Sequence, residues 1–83
     1  MKISACYIVK NEAAVLGQSL DSVKDWVDEI IIVDTGSTDQ TIEIAERYGA
    51  RVFSQPWKED FSAPRNFALT KAQGDWIVFL DAD

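Results

Sequence analysis

The chain has 83 residues, with 8 basic and 14 acidic side chains, no histidine and 47% apolar residues, for a net charge of −6. That length holds one small domain, with a real but thin core, since so short a chain buries only roughly 60% of its unfolded surface. A pI near 4.4 argues against a nucleic-acid binder and against docking on anionic lipid.

The segments alternate between strand and helix character. Ile3 to Val9 is β-branched and aromatic and apolar on both faces, which predicts a buried parallel strand. Asn11-Glu12 ends it. Leu16, Leu20 and Val23 recur at helical spacing within Ala13 to Val23. Glu29 to Val33 is the most hydrophobic strand and stops at Asp34. Thr35-Gly36-Ser37-Thr38 is turn-like, and Ser37 or Thr38 is placed to cap the next helix. That helix is expected from about Asp39 to Tyr48, with Gly49 as its stop.

Arg51 to Ser54 reads as a short third strand, and Gln55 to Phe61 as a loop. Ser62 is placed to cap a third helix that tolerates Pro64 in its first turn, runs to about Ala72 and closes at Gly74. Trp76 to Leu80 is a fourth strand, apolar throughout, and Asp81-Ala82-Asp83 follows it. Such alternation implies an α/β fold: a parallel sheet of about four strands with helices covering its faces, in residues 1–83 as one domain. No apolar run is long enough to cross a membrane. The first ten residues are too short for a signal peptide and lack its cleavage site.

In parallel α/β sheets, ligands sit beyond the carboxyl ends of the strands, where the strand order reverses. Lys10, Asn11 and Glu12 follow the first strand, Asp34 to Asp39 the second, and Asp81 and Asp83 the fourth. Arg65 and Asn66 stand just inside the third helix. Asp34 can accept hydrogen bonds from a ribose or a base N–H, or serve as a turn residue. Gly36-Ser37-Thr38 could meet an anion through backbone N–H groups, although capping is the simpler role. Arg65 can stack on a planar base or pair with a carboxylate. Asp81 and Asp83 point to one side of an extended chain, about 7 Å apart by strand rise, and can share a divalent cation. Trp26 and Trp57 are expected to pack, Cys6 to be a small core residue, and Glu43, Glu46 and Arg47 to form a solvated face.

The residue inventory narrows the chemistry. Without histidine there is no Ser-His or Cys-His pair and no imidazole zinc site. A metal held here takes oxygen ligands, which selects a hard cation such as Mg²⁺, Mn²⁺ or Ca²⁺. A single cysteine forms no internal disulfide, which suits a cytoplasmic setting. No Walker A loop and no dinucleotide glycine fingerprint is present.

Four segments taken together resemble family 2 glycosyltransferases of the GT-A fold: Ile8-Val9-Lys10-Asn11-Glu12, Ile31 to Asp39, Asp60-Phe61-Ser62 with Arg65-Asn66, and Gly74 to Asp83. The resemblance spans essentially the whole chain in order. It implies the Rossmann-like N-terminal half of that fold, and transfer of a sugar from a UDP- or GDP-sugar with inversion. It assigns Asn11 and Glu12 to the nucleoside, Asp34 to the base or ribose, and Arg65 to the border of the base. Asp81 would contact the ribose or metal, and Asp83 would ligate Mn²⁺ or Mg²⁺. Gln40 departs from a frequent glycine, and Pro64 precedes the Arg-Asn pair.

In the family the metal motif is followed by at least as much protein again, with the acceptor site and the catalytic carboxylate base. The expectation is therefore a donor-binding part of a longer enzyme, incomplete in catalysis by itself. Its nucleotide-sugar partner is set by the resemblance, and the acceptor is not specified by these residues. A cytoplasmic enzyme, or one at the inner face of a membrane, fits this reading. The fourth strand would present an open edge suited to a homodimer. The alternative is a non-catalytic α/β module acting by self-association or through a partner chain.

Overall fold

Four parallel strands form a single sheet in the order β3-β2-β1-β4. The computed structural model describes residues 2–55 and 62–80. Its elements are β1 (Ile3–Val9), α1 (Ala13–Val23), β2 (Glu29–Asp34), α2 (Thr41–Arg47), β3 (Arg51–Ser54), α3 (Ser62–Lys71) and β4 (Trp76–Leu80). The expected α/β architecture is thus present, and the order of elements is the one read from the sequence.

Pairing is in register along the sheet: Val9 lies beside Asp34, Ile3 beside Trp76, and Asp34 beside Ser54. The chain steps outward from β1 to β2 to β3, then returns to place β4 on the other side of β1. The order therefore reverses between β1 and β4, and a ligand crevice is expected at the carboxyl edge there.

Side chains alternate across each strand, and both faces are covered. One face buries Ala5, Tyr7, Val9, Ile30 and Ile32 against Leu16, Leu20 and Val23 of α1 and Ala45 of α2. The other buries Cys6, Ile31 and Val33 against Ala68 of α3. Two-sided burial explains why β1 and β2 read as unbroken apolar runs. Phe53 and Phe67 meet edge-on with ring centroids 5.6 Å apart, tying β3 to α3, and Lys71 Nζ lies 5.4 Å from both ring centroids.

The amino edge is knitted by Glu29. Its Oε2 accepts hydrogen bonds from Ser4 Oγ and Gln73 N, and its Oε1 takes Arg51 Nη1 at 3.3 Å. One carboxylate at the start of β2 thus reaches β1, β3 and the turn before β4. Partial burial pushes the Glu29 carboxyl up, but bonds from Ser4, Gln73 and Arg51 outweigh this and hold it below its ordinary value. Gly74 N donates to Ser4 Oγ at 2.8 Å. A Cβ on Gly74 would lie 2.8 Å from Ser4 N and closer still to Ser4 Oγ, so the turn passes over β1 only as glycine.

Several local boundaries differ from the sequence reading. β2 continues through Asp34, because Gln55 N still bonds Asp34 O beyond β3. α3 ends at Lys71 rather than Ala72. α2 begins at Thr41 rather than Asp39, and neither Ser37 nor Thr38 caps it: Asp39 Oδ1 accepts Thr41 N at 3.0 Å. α2 ends at Arg47 with Tyr48 as its cap rather than its last residue; Gly49 stops it as expected, with Gly49 N on Glu46 O and Ala50 N on Ala45 O forming a Schellman motif. Cys6 is fully buried, and Glu43, Glu46 and Arg47 are exposed. Trp26 is half exposed rather than packed in the core, with its indole N–H bonded to Ser22 O. Trp57 lies outside the described residues. No helix among the described residues is long and apolar enough to cross a membrane.

Candidate functional site

The last residue of β2 combines a charge with almost complete burial. Asp34 is 2% exposed. Its Oδ2 accepts Gly36 N at 3.1 Å and Ser37 N at 3.0 Å, so the turn after the strand folds over one carboxylate oxygen. Its Oδ1 is buried and has no hydrogen-bond partner among the described residues. Leaving a buried acceptor unmade costs about 1–3 kcal/mol, more for a charged group. Folding alone gives no return for that cost. An N–H or O–H donor arriving from outside would.

The turn itself depends on Gly36, whose φ of +130° is a conformation that side chains with a Cβ rarely adopt. Thr35 anchors its near side, donating from N and Oγ1 to Val9 O at 2.9 and 3.1 Å.

Residues after β1 complete this edge. Asn11 takes φ of +53°, in the left-handed region that Asn tolerates better than most residues. Its N donates to Ser37 Oγ at 2.9 Å, and its Oδ1 accepts Thr38 N at 2.8 Å. Glu12 starts α1 through its backbone: its carbonyl accepts Leu16 N at 2.8 Å, and its N donates to Thr41 Oγ1 at 2.9 Å. The buried Thr41 hydroxyl donates in turn to Asp39 Oδ1. Asp39 Oδ2 then accepts Ala13 N at 3.3 Å. The Thr41 hydroxyl, and then the Thr41 and Ala13 amides, hold the Asp39 carboxyl below its ordinary range.

Asn11, Glu12 and Asp34 are therefore brought together in one hydrogen-bonded unit at the carboxyl edge of β1 and β2. Arg65 stands apart from them, on α3. Its guanidinium lies over the Phe79 ring, 4.8 Å from the centroid, so it stacks on β4. That places it on the β1–β4 side of the sheet, where Phe79 lies beside Cys6. Asp81 and Asp83 lie outside the described residues, as do Asp60 and Phe61. Among the described residues no three His, Cys, Asp or Glu side chains gather as a metal site. The available donors suit a hard cation: the single cysteine is fully buried, and burial, then the Glu29 charge, pushes its thiol up to about 11.

Sequence reasoning placed Asp39 on this edge without a role and passed over Thr41. The available signal was the Asp-Gln-Thr spacing, in which an Asp side chain can bond the N–H two residues on. The bond to Ala13 is long-range and had no local signature.

With this geometry in hand, comparisons with known proteins become informative. The sequence pattern of "Glycosyl transferase family 2" matches residues 4–83. A TPR repeat-containing protein of Synechococcus elongatus is 52% identical over 99% of this chain and 20% of its own length. A glycosyltransferase of Rickettsia felis is 48% identical, again over 99% of this chain and 29% of its own. The crystal structure of glucosyl-3-phosphoglycerate synthase from Mycobacterium tuberculosis, in complex with Mn²⁺, UDP and glucosyl-3-phosphoglycerate, superimposes with a TM-score of 0.85 at 33% identity. It covers 99% of this chain and 33% of that one. The chain thus spans between a fifth and a third of the length of these relatives.

Proposed function

The chain belongs to glycosyl transferase family 2, and on that premise we propose that residues 1–83 are a single donor-binding α/β domain of a sugar-transferring enzyme. The donor is a UDP- or GDP-linked sugar, the transfer inverts the anomeric carbon, and the enzyme works in the cytoplasm. The observation that carries this reading is the Oδ1 of Asp34, buried and without a partner among the described residues. A nucleoside offers the donors that this oxygen lacks: a ribose hydroxyl or a base N–H.

Each residue has a task in binding. Asp34 Oδ1 accepts from the base or ribose, while its other oxygen stays locked by the turn. Asn11 and Glu12 flank the nucleoside. Arg65, with one face of its guanidinium on Phe79, offers the other face to the border of the base. Asp81 takes the ribose or the metal, and Asp83 the metal. An all-oxygen ligand set fits Mn²⁺ or Mg²⁺, and the M. tuberculosis synthase was crystallised with Mn²⁺ and UDP. When bound, such an ion supplies positive charge against the diphosphate. No residue of this chain is assigned as the base that deprotonates the acceptor, and residues 1–83 are proposed to bind the donor without completing the transfer.

Calorimetric titration of UDP, then GDP, with and without Mn²⁺ tests this. Binding that needs the metal, and that falls at least about tenfold in Asp34→Ala and in Asp83→Ala, is expected. Variants that bind as the parent does would remove the residue assignments. A folded parent that binds neither nucleotide would remove the function.

A further inference from the structure

A loop that must present one carboxylate oxygen to a ligand has to be held, and the residues that hold it need not touch the ligand. The span from Asp34 to Thr41 is fastened at three points. At its start, Gly36 and Ser37 amides grip Asp34 Oδ2. In the middle, Ser37 and Thr38 engage Asn11. At its end, Asp39 ties Thr41 N, at the start of α2, to Ala13 N, at the start of α1, and Thr41 Oγ1 closes on Glu12 N. The second and third fastenings both reach residues 11–13, which are continuous with the buried α1. The loop is thereby referenced to a rigid element rather than to itself.

From this arrangement we propose that Asp39 is a positioning residue for the donor site. It acts through the loop on the orientation of Asp34 and has no contact with substrate of its own. Gly36, at φ +130°, is the natural pivot of the loop. With the Asp39–Ala13 tie cut, the far end of the loop is left with only the Thr41–Glu12 bond to α1, and the loop gains play about that pivot. The Gly36 and Ser37 amides then lose their alignment on Oδ2, and the Asp34 carboxylate turns to use its own orphan oxygen. Asp34 stays in place, but the acceptor offered to the nucleoside is gone.

The proposal rests on the donor-binding reading above, and the test separates the two. Asp39→Asn retains a side-chain oxygen for Thr41 N but replaces the Ala13 acceptor with an NH₂ donor. Asp39→Ala removes both. Glu29→Gln perturbs the opposite edge of the sheet. Binding of UDP in the presence of Mn²⁺ is measured by calorimetry, and melting temperature by circular dichroism, for each variant. The expected result is that Asp39→Asn melts close to the parent yet binds UDP at least about tenfold more weakly, as small misplacements of a binding group do. Glu29→Gln is expected to melt lower and bind as the parent. Parent-like binding by Asp39→Asn, or an equal loss of binding in Glu29→Gln, overturns the positioning role and leaves the donor-binding reading intact. A folded parent that binds neither UDP nor GDP overturns both.

Discussion

At Asp34 the two oxygens of a single carboxylate have opposite fates. Oδ2 is held by two backbone amides, while Oδ1 is buried without a partner among the described residues. The bonds stabilise and the buried, half-satisfied charge destabilises, so the two largely offset. Removing the whole group should therefore alter the ligand-free chain little. Asp34→Ala is expected to melt within about 4–8 °C of the parent, the shift for about 1 kcal/mol in a domain of this size. The same variant should lose the rise in melting temperature that saturating UDP with Mn²⁺ gives the parent. A ligand-free loss far beyond that range would make Asp34 a structural keystone instead. Residues kept for binding at no gain in stability are where function is recognised.

Whole elements were legible because their signals are local or periodic. The burial of Ala5, Cys6, Tyr7 and Val9 follows from β1 being apolar on both faces, and α1 follows from Leu16, Leu20 and Val23. The site was legible as a neighbourhood, since Asn11, Glu12 and Asp34 all follow strands and parallel strands end on one edge. Two kinds of fact were not legible. One is which polar atoms pair across distant segments, as Asp39 does with Ala13 and Glu29 does with Ser4 and Gln73; side-chain bonding across 26 or 44 residues leaves no periodic trace. The other is the orphan state of Asp34 Oδ1, which exists only once packing has closed around it.

Two predictions belong to the seam at the amino edge. Gly74→Ala forces a methyl to within 2.8 Å of Ser4 N, and overpacking against backbone should cost about 1–3 kcal/mol in chemical denaturation. Unchanged stability would show that the turn shifts freely. The second is a pH dependence. The folded Glu29 carboxyl is held below its ordinary value, so its stabilisation is present above the unfolded carboxylate value, near 4.5, and is lost as pH falls through the lower folded value. Glu29→Gln should therefore be less stable than the parent at neutral pH, and the gap should close during acid titration. A gap that stays constant to strong acid would mean that the carboxylate charge contributes nothing.

Across the molecule, the two edges of the sheet divide the work. The amino edge pairs its charged groups around Glu29 and contributes cohesion. The carboxyl edge keeps one oxygen unpaired and is where the donor is proposed to bind. Between them β1 carries the load, since it pairs with both β2 and β4 and fills both sides of the core.

The central position of β1 also sets a schedule. Of these four strands the first to be made waits for the last, because Ile3 pairs with Trp76. At about 5–20 residues per second, the 73 residues that separate this pair take roughly 4–15 s to synthesise. Until then one edge of β1 stays open, although β1, β2 and β3 can already pair. Cys6 is a built-in clock for that delay: it faces Phe79 across the β1–β4 pairing and is the single cysteine in the chain. Nascent chains arrested before Trp76 should react readily with an alkylating agent, and chains arrested well past Leu80 should not. Equal protection at both lengths would mean that the first strand is sheltered before its last neighbour is made.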